Sequence, residues 1–252
     1  MMRGDLSFFD SNCMIGRRMK YNPGEISRVD ELLSDMDYYG IDEALVYHAV
    51  AREYYPSVGN GILMEEIGAA DRLHPCWVVM PDVTGEMDKP DVLVSKMMEM
   101  GVRCARIFPE EHKFSLKSWA CGGLLRELER GSIPTFIGRD QISWDQVHEL
   151  CLEYPDLPVI ITSVNYREDR YLYPLLERFR NLYFEISWYG VHLGIESICE
   201  RFGPERILFG TGLPSFTPGP ALTSVMYAQI DEDSRRMIAG DNLRRLLRGV
   251  KG

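Results

Sequence analysis

The sequence lacks several features that would place the chain in a common functional class. It has no run of about 18 apolar residues and, near its start, no apolar segment of a signal peptide, so neither a membrane-spanning helix nor a secretion signal is expected. Its 28 Lys and Arg residues are outnumbered by 38 Asp and Glu residues, which gives a formal net charge of −10. Because phosphate binding needs a basic face, a general role in binding nucleic acid is not expected.

The sequence also lacks any pair of cysteines in C-x-x-C spacing. Scattered cysteines favour free thiols over a disulfide framework or a zinc knuckle, and free thiols are typical of a reducing compartment. We therefore predict a cytoplasmic protein. No G-x-G-x-x-G motif follows the first predicted strand, which weakens the alternative of a dinucleotide-binding fold. The six cysteines are Cys13, Cys76, Cys104, Cys121, Cys151 and Cys199.

The sequence does contain a regular alternation of short apolar runs and amphipathic stretches, repeated eight times. Such alternation is typical of a parallel sheet wrapped by helices. The eight repeats and the length of 252 residues favour an α/β fold with a single closed (β/α)8 TIM barrel, one domain over residues 1–252. Pro174 is expected to open the helix after the sixth strand. The predicted strands are residues 7–9, 44–48, 76–80, 102–108, 134–137, 159–162, 182–187 and 207–209.

A set of motifs runs through the chain in a fixed order. The most specific spans Phe202 to Pro214, where a short apolar run, preceded by Gly-Pro-Glu-Arg, ends abruptly in Gly-Thr-Gly-Leu-Pro. Together the motifs closely resemble the amidohydrolase-related family of the metal-dependent hydrolase superfamily, and the resemblance implies a TIM barrel with its chemistry at the strand C-termini. The shorter motifs are residues 10–16, 33–42, 153–157, 181–184 and 241–246.

The resemblance implies a divalent metal, often zinc, held at the top of the barrel by four His and one Asp. In this chain other residues occupy all five ligand positions. Glycine has no side-chain donor, Asn and Ser oxygens are poor zinc ligands, and a Met thioether prefers softer ions. We therefore expect no metal, no metal-activated water and no other cofactor. The five positions carry Asn12, Met14, Gly138, Ser163 and Gly212.

The polar residues near the strand ends predict an anion pocket in the barrel mouth. Arg106 and Arg139 could each grip a carboxylate, and Trp188 could wall the site. Glu185 or His48 could move a proton, which makes these two the candidate catalytic residues. Strand alternation adds further polar and apolar residues to the same face. The predicted ligand-binding residues are Asp10, Asn12, Met14, Arg106, Arg139, Ser163 and Trp188.

Structural roles are also open for several of these residues. Arg106 and Glu185 could pair with each other inside the barrel, because buried charges need partners. His48 could be a hydrogen-bonded structural histidine. Cys13 lies between two former ligand positions, but strand alternation points its thiol away from the site and predicts a small buried residue instead.

Three functions remain compatible with this pattern. The first is a regulatory or binding pseudoenzyme that keeps a pocket for a small organic acid or another anion. The second is a metal-independent hydrolase or lyase that acts on such an acid by acid–base catalysis. The third is a metal-dependent hydrolase whose site has moved. No nucleic acid or membrane is expected as a partner, and a homo-oligomer is possible. The residues available for a moved metal site are Asp10, His48, Glu185 and His192.

Overall fold

The computed structural model of the protein describes residues 6–20 and 22–251. All of its strand pairings are parallel, and they form two sheets that follow each other in chain order. The first sheet contains β1 (Phe9–Ile15), β2 (Glu43–His48) and β3 (Leu73–Pro75). The second contains β4 (Trp77–Val78), β5 (Ala105–Ile107), β6 (Thr135–Gly138), β7 (Val159–Thr162), β8 (Leu182–Glu185) and β9 (Ile207–Leu208).

Two backbone junctions join these sheets into the arrangement of a single (β/α)8 barrel. At the first, Cys76 separates β3 from β4: its N–H donates to Val46 in the first sheet at 2.8 Å, and the next residue, Trp77, donates to Cys104 in the second at 3.3 Å. At the second junction, β1 lies beside the end of β9: the Ser11 N–H donates to the carbonyl of Phe209, the residue after β9, at 3.0 Å. The predicted barrel topology is confirmed, but the described residues form no uninterrupted ladder around it.

Helices follow the strands and cover the outside of the barrel, as the apolar periodicity predicts. The Ser143–Gln146 capping box begins its helix as predicted, whereas Pro174 lies inside its helix instead of opening it. The helices are α1 (Val29–Tyr39), α2 (Ala49–Glu53), α3 (Pro56–Ile67), α4 (Pro90–Glu99), α5 (Ser118–Arg130), α6 (Trp144–Glu153), α7 (Asp169–Arg178), α8 (Gly194–Phe202), α9 (Gly219–Met226), α10 (Glu232–Arg236) and α11 (Asn242–Arg248), with a π-helical turn at Met237–Asp241.

The core has two layers because side chains of a strand point alternately to its two faces. The larger layer lies between strands and helices. The smaller layer fills the barrel interior with side chains such as Phe9, Leu45, Phe136 and Ile160, all almost fully buried. Charged side chains interrupt this apolar interior near the carboxyl ends of the strands, and that is where the candidate site lies.

Candidate functional site

A cavity of about 590 Å³ opens at the carboxyl ends of the barrel strands. Gly138 and Thr162, which end β6 and β7, form part of its wall. This is the end at which TIM barrels place ligands, and the volume is within the usual range for a small-molecule site. The lining residues are Asn12, Arg18, Tyr47, Arg52, Arg106, Phe108, Gly138, Arg139, Asp140, Thr162, Ser163, Asn165, Glu168, Trp188, Gly212, Leu213, Ser215 and Phe216.

Four arginines line the cavity, and three of them are held by carboxylates. Fixed pairs of this kind neutralise the guanidinium and orient it, so these three have little charge left for a ligand. The pairs are Arg18 with Glu25 at 2.7 Å, Arg52 with Glu111 at 2.5 Å, and Arg139 with Glu168 at 2.6 Å.

Arg106 differs from the other three arginines. Its side chain is 3% exposed, and within residues 6–20 and 22–251 it forms no ion pair with a carboxylate. Its guanidinium carbon lies 4.5 Å from the ring centre of Tyr47 and 5.3 Å from that of Phe136. Its Nε atom is buried without a hydrogen-bond partner. Aromatic faces attract the cation but do not satisfy its N–H donors, so Arg106 retains unused hydrogen-bonding capacity.

Two buried thiols lie near Arg106: Cys76 separates β3 from β4, and Cys104 directly precedes β5, the strand that carries Arg106. Burial raises the pKa of the Cys76 thiol, but hydrogen bonding with Cys104, the positive charge of Arg106 and a hydrogen bond with the Arg106 side chain more than offset this effect, so the pKa lies below its ordinary value. For Cys104, burial and the neighbouring Cys76 raise the pKa well above the ordinary value. Neither residue lines the mouth cavity.

Glu185 does not pair with Arg106, and it lies beneath the cavity wall instead of in it. The side chain is fully buried and accepts hydrogen bonds from Asn12 Nδ2 at 3.3 Å, from the Ser163 N–H at 2.7 Å, and from the Ser187 N–H and hydroxyl at 2.6 and 2.7 Å. Burial raises its pKa, although the hydrogen bonds from Ser187 and Ser163 oppose that change. Its oxygens are therefore engaged in supporting the loops around the mouth.

Asp10 is a second buried carboxyl that does not line the cavity. It accepts the Asn12 N–H at 2.9 Å, the Thr211 N–H at 3.0 Å and the Thr211 hydroxyl, and thereby ties β1 to the segment after β9. Burial raises its pKa against the effect of these bonds. An irregularity in the β1–β2 register between Asp10 and Cys13 breaks the simple alternation that placed Asp10, Asn12 and Met14 on one face. Cys13 is fully buried in the outer core layer.

The other predicted residues fall into two groups. Asn12, Ser163 and Trp188 line the cavity together with Arg106 and Arg139. Met14 and His48 do not: Met14 is packed in the barrel interior, and His48 caps α2. The His48 Nδ1 atom accepts the Val50 N–H at 3.2 Å, and its Nε2 atom lies 3.5 Å from Glu66. Burial lowers the pKa of His48, while Glu66 acts in the opposite direction.

The five positions at which the family resemblance implies metal ligands do not fit a divalent metal. Side chains from neighbouring loops occupy the space beside two of them. A Cβ atom on Gly212 would lie 2.6 Å from the Phe216 ring, and one on Gly138 would collide with the Asp140 carboxylate. Among the residues that the structure describes, no three His, Cys, Asp or Glu side chains converge on a point where they could bind one ion.

The sequence-based prediction missed several residues that form the aromatic and charged wall. Phe216 follows the last strand and packs against Trp188, with ring centres 4.5 Å apart. Phe108 lies at the end of β5 beside Tyr47, with ring centres 5.8 Å apart. The available signal was position: Phe108 ends a predicted strand and Phe216 follows one, at the carboxyl ends where barrel loops meet. The prediction also missed Arg18 and Glu168, which lie in loops, and Arg52, which lies in the short helix α2 after β2.

The fold and the placement of the cavity define a (β/α)8 barrel protein with a polar site at the strand C-termini. The amidohydrolase family model matches residues 29–249, so the chain belongs to the amidohydrolase family. No curated protein matches the chain. In the part of the chain that the structure describes, no helix is both long enough and apolar enough to cross a bilayer.

Solved structures share the fold at low sequence identity. An uncharacterised TIM-barrel protein from Bordetella bronchiseptica is 16% identical with a TM-score of 0.76, covering 97% of this chain and 99% of its own. The 5-carboxyvanillate decarboxylase of Sphingomonas paucimobilis is 14% identical with a TM-score of 0.71, covering 98% and 100%. A probable 2-pyrone-4,6-dicarboxylic acid hydrolase from Acinetobacter baumannii, with citric acid bound, is 14% identical with a TM-score of 0.68, covering 96% and 99%.

Proposed function

We propose that this chain is a single-domain, cytoplasmic member of the amidohydrolase family that binds a small organic acid in its mouth cavity without using a catalytic metal. The observation that carries the proposal is Arg106, a buried guanidinium that points its charge at a cavity and has no carboxylate partner among the described residues. A buried charge without a partner is costly, so a bound anion would stabilise the site. The six free thiols are compatible with a reducing compartment.

The surroundings of Arg106 favour a carboxylate on a compact body. The Tyr47 and Phe136 rings restrict the orientation of the guanidinium, which leaves its donor edge for two parallel hydrogen bonds to one carboxylate. Asn12 and Ser163 provide polar groups beside it, while Phe108 and Trp188 provide apolar surface. A few polar groups in a mostly apolar wall are typical of small-molecule sites.

Two of the structural neighbours are named for carboxylic acids, which is the ligand class proposed for this cavity. One is a decarboxylase of a carboxylated aromatic compound, and another is a probable dicarboxylic acid hydrolase with citric acid bound. Their identity of 14% to this chain supports the fold alone, and the ligand class is therefore argued from Arg106.

The two catalytic alternatives receive less support. The candidates for acid–base catalysis without a metal were Glu185 and His48, but Glu185 is buried beneath the cavity and accepts four hydrogen bonds. His48 accepts a helix N–H outside the cavity lining. A relocated metal site would need at least three converging ligands, and none converge among the described residues.

The test is a binding panel of small organic acids against the wild-type protein and Arg106→Met. We expect a carboxylic acid to bind with 1:1 stoichiometry in titration calorimetry and to raise the melting temperature. Because a charge-assisted hydrogen bond contributes about 1.5–3 kcal/mol, Arg106→Met should weaken binding by about 10- to 150-fold. The uncharged primary amide of the same acid should bind the wild-type protein no more tightly than it binds Arg106→Met.

Two further measurements complete the test. Arg170→Met, an exposed arginine outside the cavity, should bind the acid as wild type does. Elemental analysis of the dialysed protein should detect no stoichiometric divalent metal. Equal affinity of wild type and Arg106→Met for every acid, or one metal ion per chain lost on mutating residues of the mouth, would overturn the proposal.

A further inference from the structure

A second cavity, of about 550 Å³, lies at the opposite end of the barrel, and its charge differs from that of the whole protein. Phe9 and Glu43 begin β1 and β2, and Cys104 precedes β5, so the cavity opens at the amino ends of the strands. TIM-barrel chemistry is located at the other end, which separates this cavity from the proposed organic-acid site.

The rim of this basal cavity is cationic. Its arginines are Arg103, Arg244 and Arg248, and Glu43 is the one acidic residue among the described residues that line it, so three positive charges and one negative charge give a formal charge of +2 with His74 neutral. The whole chain carries −10. A local excess of one sign in a recess concentrates counter-ions of the other sign.

The existing partners leave two of these charges unused. Glu43 is fully engaged: Arg244 donates to its Oε1 atom from two nitrogens at 2.9 and 2.7 Å, and its Oε2 atom lies 2.8 Å from the His74 ring nitrogen. Arg103 and Arg248 are exposed, and neither side chain forms an ion pair or a hydrogen bond with any other residue that the structure describes.

The floor of the cavity is apolar, unlike its rim. Phe9, Leu45 and Leu247 line it, and each is 9% exposed or less. The guanidinium of Arg244 covers the Phe9 ring at 5.6 Å. A ligand held by this floor would bury hydrocarbon surface, which contributes about 0.8 kcal/mol per CH₂ group.

We infer that the basal cavity binds an amphiphilic organic anion, with its acid group between Arg103 and Arg248 and its hydrocarbon part on the floor formed by Phe9, Leu45 and Leu247. The acid group accepts hydrogen bonds from the two unpaired guanidinium groups, and the hydrocarbon part of the ligand leaves water by packing on the apolar floor. The inference does not depend on the organic-acid site in the mouth, because no residue lines both cavities.

Octanoate is the probe, measured by titration calorimetry in the Arg106→Met variant so that the mouth site does not contribute. We expect one octanoate per chain, and at least tenfold weaker binding of octanol, which lacks the charge, and of acetate, which lacks the tail. Methyl resonances of Leu45 and Leu247 should shift on titration, whereas those of Leu213 at the mouth should not.

The matched variants are Arg103→Glu with Arg248→Glu, and the control Arg170→Glu with Arg180→Glu, which changes the net charge equally at exposed positions elsewhere. The first pair should weaken octanoate binding at least tenfold and the control less than threefold. Far-ultraviolet circular dichroism should be unchanged in both, because no mutated side chain is buried. Octanoate that does not bind, octanol that binds as tightly, equal loss in both double variants, or binding of an acidic peptide alone would each overturn the inference.

Discussion

Two buried arginines in this barrel have opposite relations to their surroundings. Arg206 donates to the carbonyls of Leu176 at 2.5 Å, Phe179 at 2.9 Å and Phe202 at 3.3 Å, so it satisfies backbone groups at the ends of α7 and α8. Arg106 has a hydrogen bond with the Cys76 side chain, and its buried Nε atom has no hydrogen-bond partner. The hydrogen bonds of Arg206 offset the cost of burying its charge. For Arg106 that cost is offset less, because a buried N–H donor has no hydrogen-bond partner.

This contrast predicts that two identical substitutions will differ in their effect on stability. Arg206→Met should lower the free energy of unfolding by about 3 kcal/mol, from three lost hydrogen bonds and the acceptors left unpaired. Arg106→Met should leave it within about 1 kcal/mol of wild type or raise it, because a desolvated charge is removed and the losses are limited to the contacts with Tyr47 and Phe136 and the hydrogen bond with Cys76. Urea denaturation of the ligand-free proteins measures both values. An equally large loss in Arg106→Met would indicate that this arginine is structural.

The residues of the site could be predicted from the sequence where one polar residue stands in an otherwise apolar strand. Arg106 is the clearest case, and it lines the cavity. Asp10 and His48 could not be placed in this way. The register irregularity in β1 changes the direction of its side chains, and His48 turns back to accept the Val50 N–H. Both effects depend on neighbouring backbone that sequence alternation does not contain.

At the scale of elements, the α2 and α3 helices form a close contact at a glycine. Gly59 of α3 is buried, and a Cβ atom there would overlap the backbone of Ala51 in α2. Gly61, one half-turn further on, is exposed and would place its Cβ in open space. One helix therefore contains two glycines with different roles.

Alanine at these two positions should have opposite effects. Gly59→Ala should destabilise the protein by about 1–3 kcal/mol, because backbone atoms of α2 must move. Gly61→Ala should stabilise it by about 0.5–1 kcal/mol, because alanine is the better helix former and meets nothing. Thermal and chemical denaturation of the two variants provide the comparison. A stabilising Gly59→Ala would indicate that α2 can shift away from α3 without cost.

Element boundaries were harder to predict than element types. The expected third strand, residues 76–80, is shorter in the structure, where only β4 at Trp77–Val78 falls in this range, and a separate strand, β3 at Leu73–Pro75, precedes it. Pro174 was expected to start a helix, yet α7 begins at Asp169 and tolerates the proline within its second turn. A proline there removes one backbone donor, and only the packing of Leu172, Leu175 and Leu176 into the core makes the longer helix favourable.

For the whole molecule, the barrel could be predicted because eight repeats of strand and helix leave few other ways to bury every apolar face. The mouth could be predicted only in part. Phe216 fills the space beside Gly212, and Asp140 fills the space beside Gly138, so side chains that follow the strands occupy the room beside both glycines. Loops that connect the strands and helices of the barrel have no periodic sequence pattern, and the packing of their side chains cannot be deduced from residue spacing.

The barrel encloses the carboxyls of Asp10 and Glu185, which are hydrogen-bonded but form no ion pair with any residue that the structure describes, and their burial predicts how stability changes with pH. Burial raises the pKa of Asp10 above the value of 3.8 expected in the unfolded chain. The folded state therefore holds this proton more tightly than the unfolded state does. The resulting stability is fully present below pH 3.8 and is lost as pH rises through the folded pKa.

Asp10→Asn should remove the loss of stability that accompanies ionisation of Asp10 as pH rises. The asparagine carbonyl can still accept the N–H groups of Asn12 and Thr211, and the Thr211 hydroxyl can rotate to accept from the new amide. Stability of the variant relative to wild type should therefore increase as pH rises from about 4. Asp231→Asn is the control with the opposite sign, because hydrogen bonds from Ser234 lower the pKa of Asp231 and favour its charged form. Urea unfolding of the three proteins at a series of pH values measures the difference, and parallel curves for wild type and Asp10→Asn would show that the buried carboxyl does not contribute to the pH dependence.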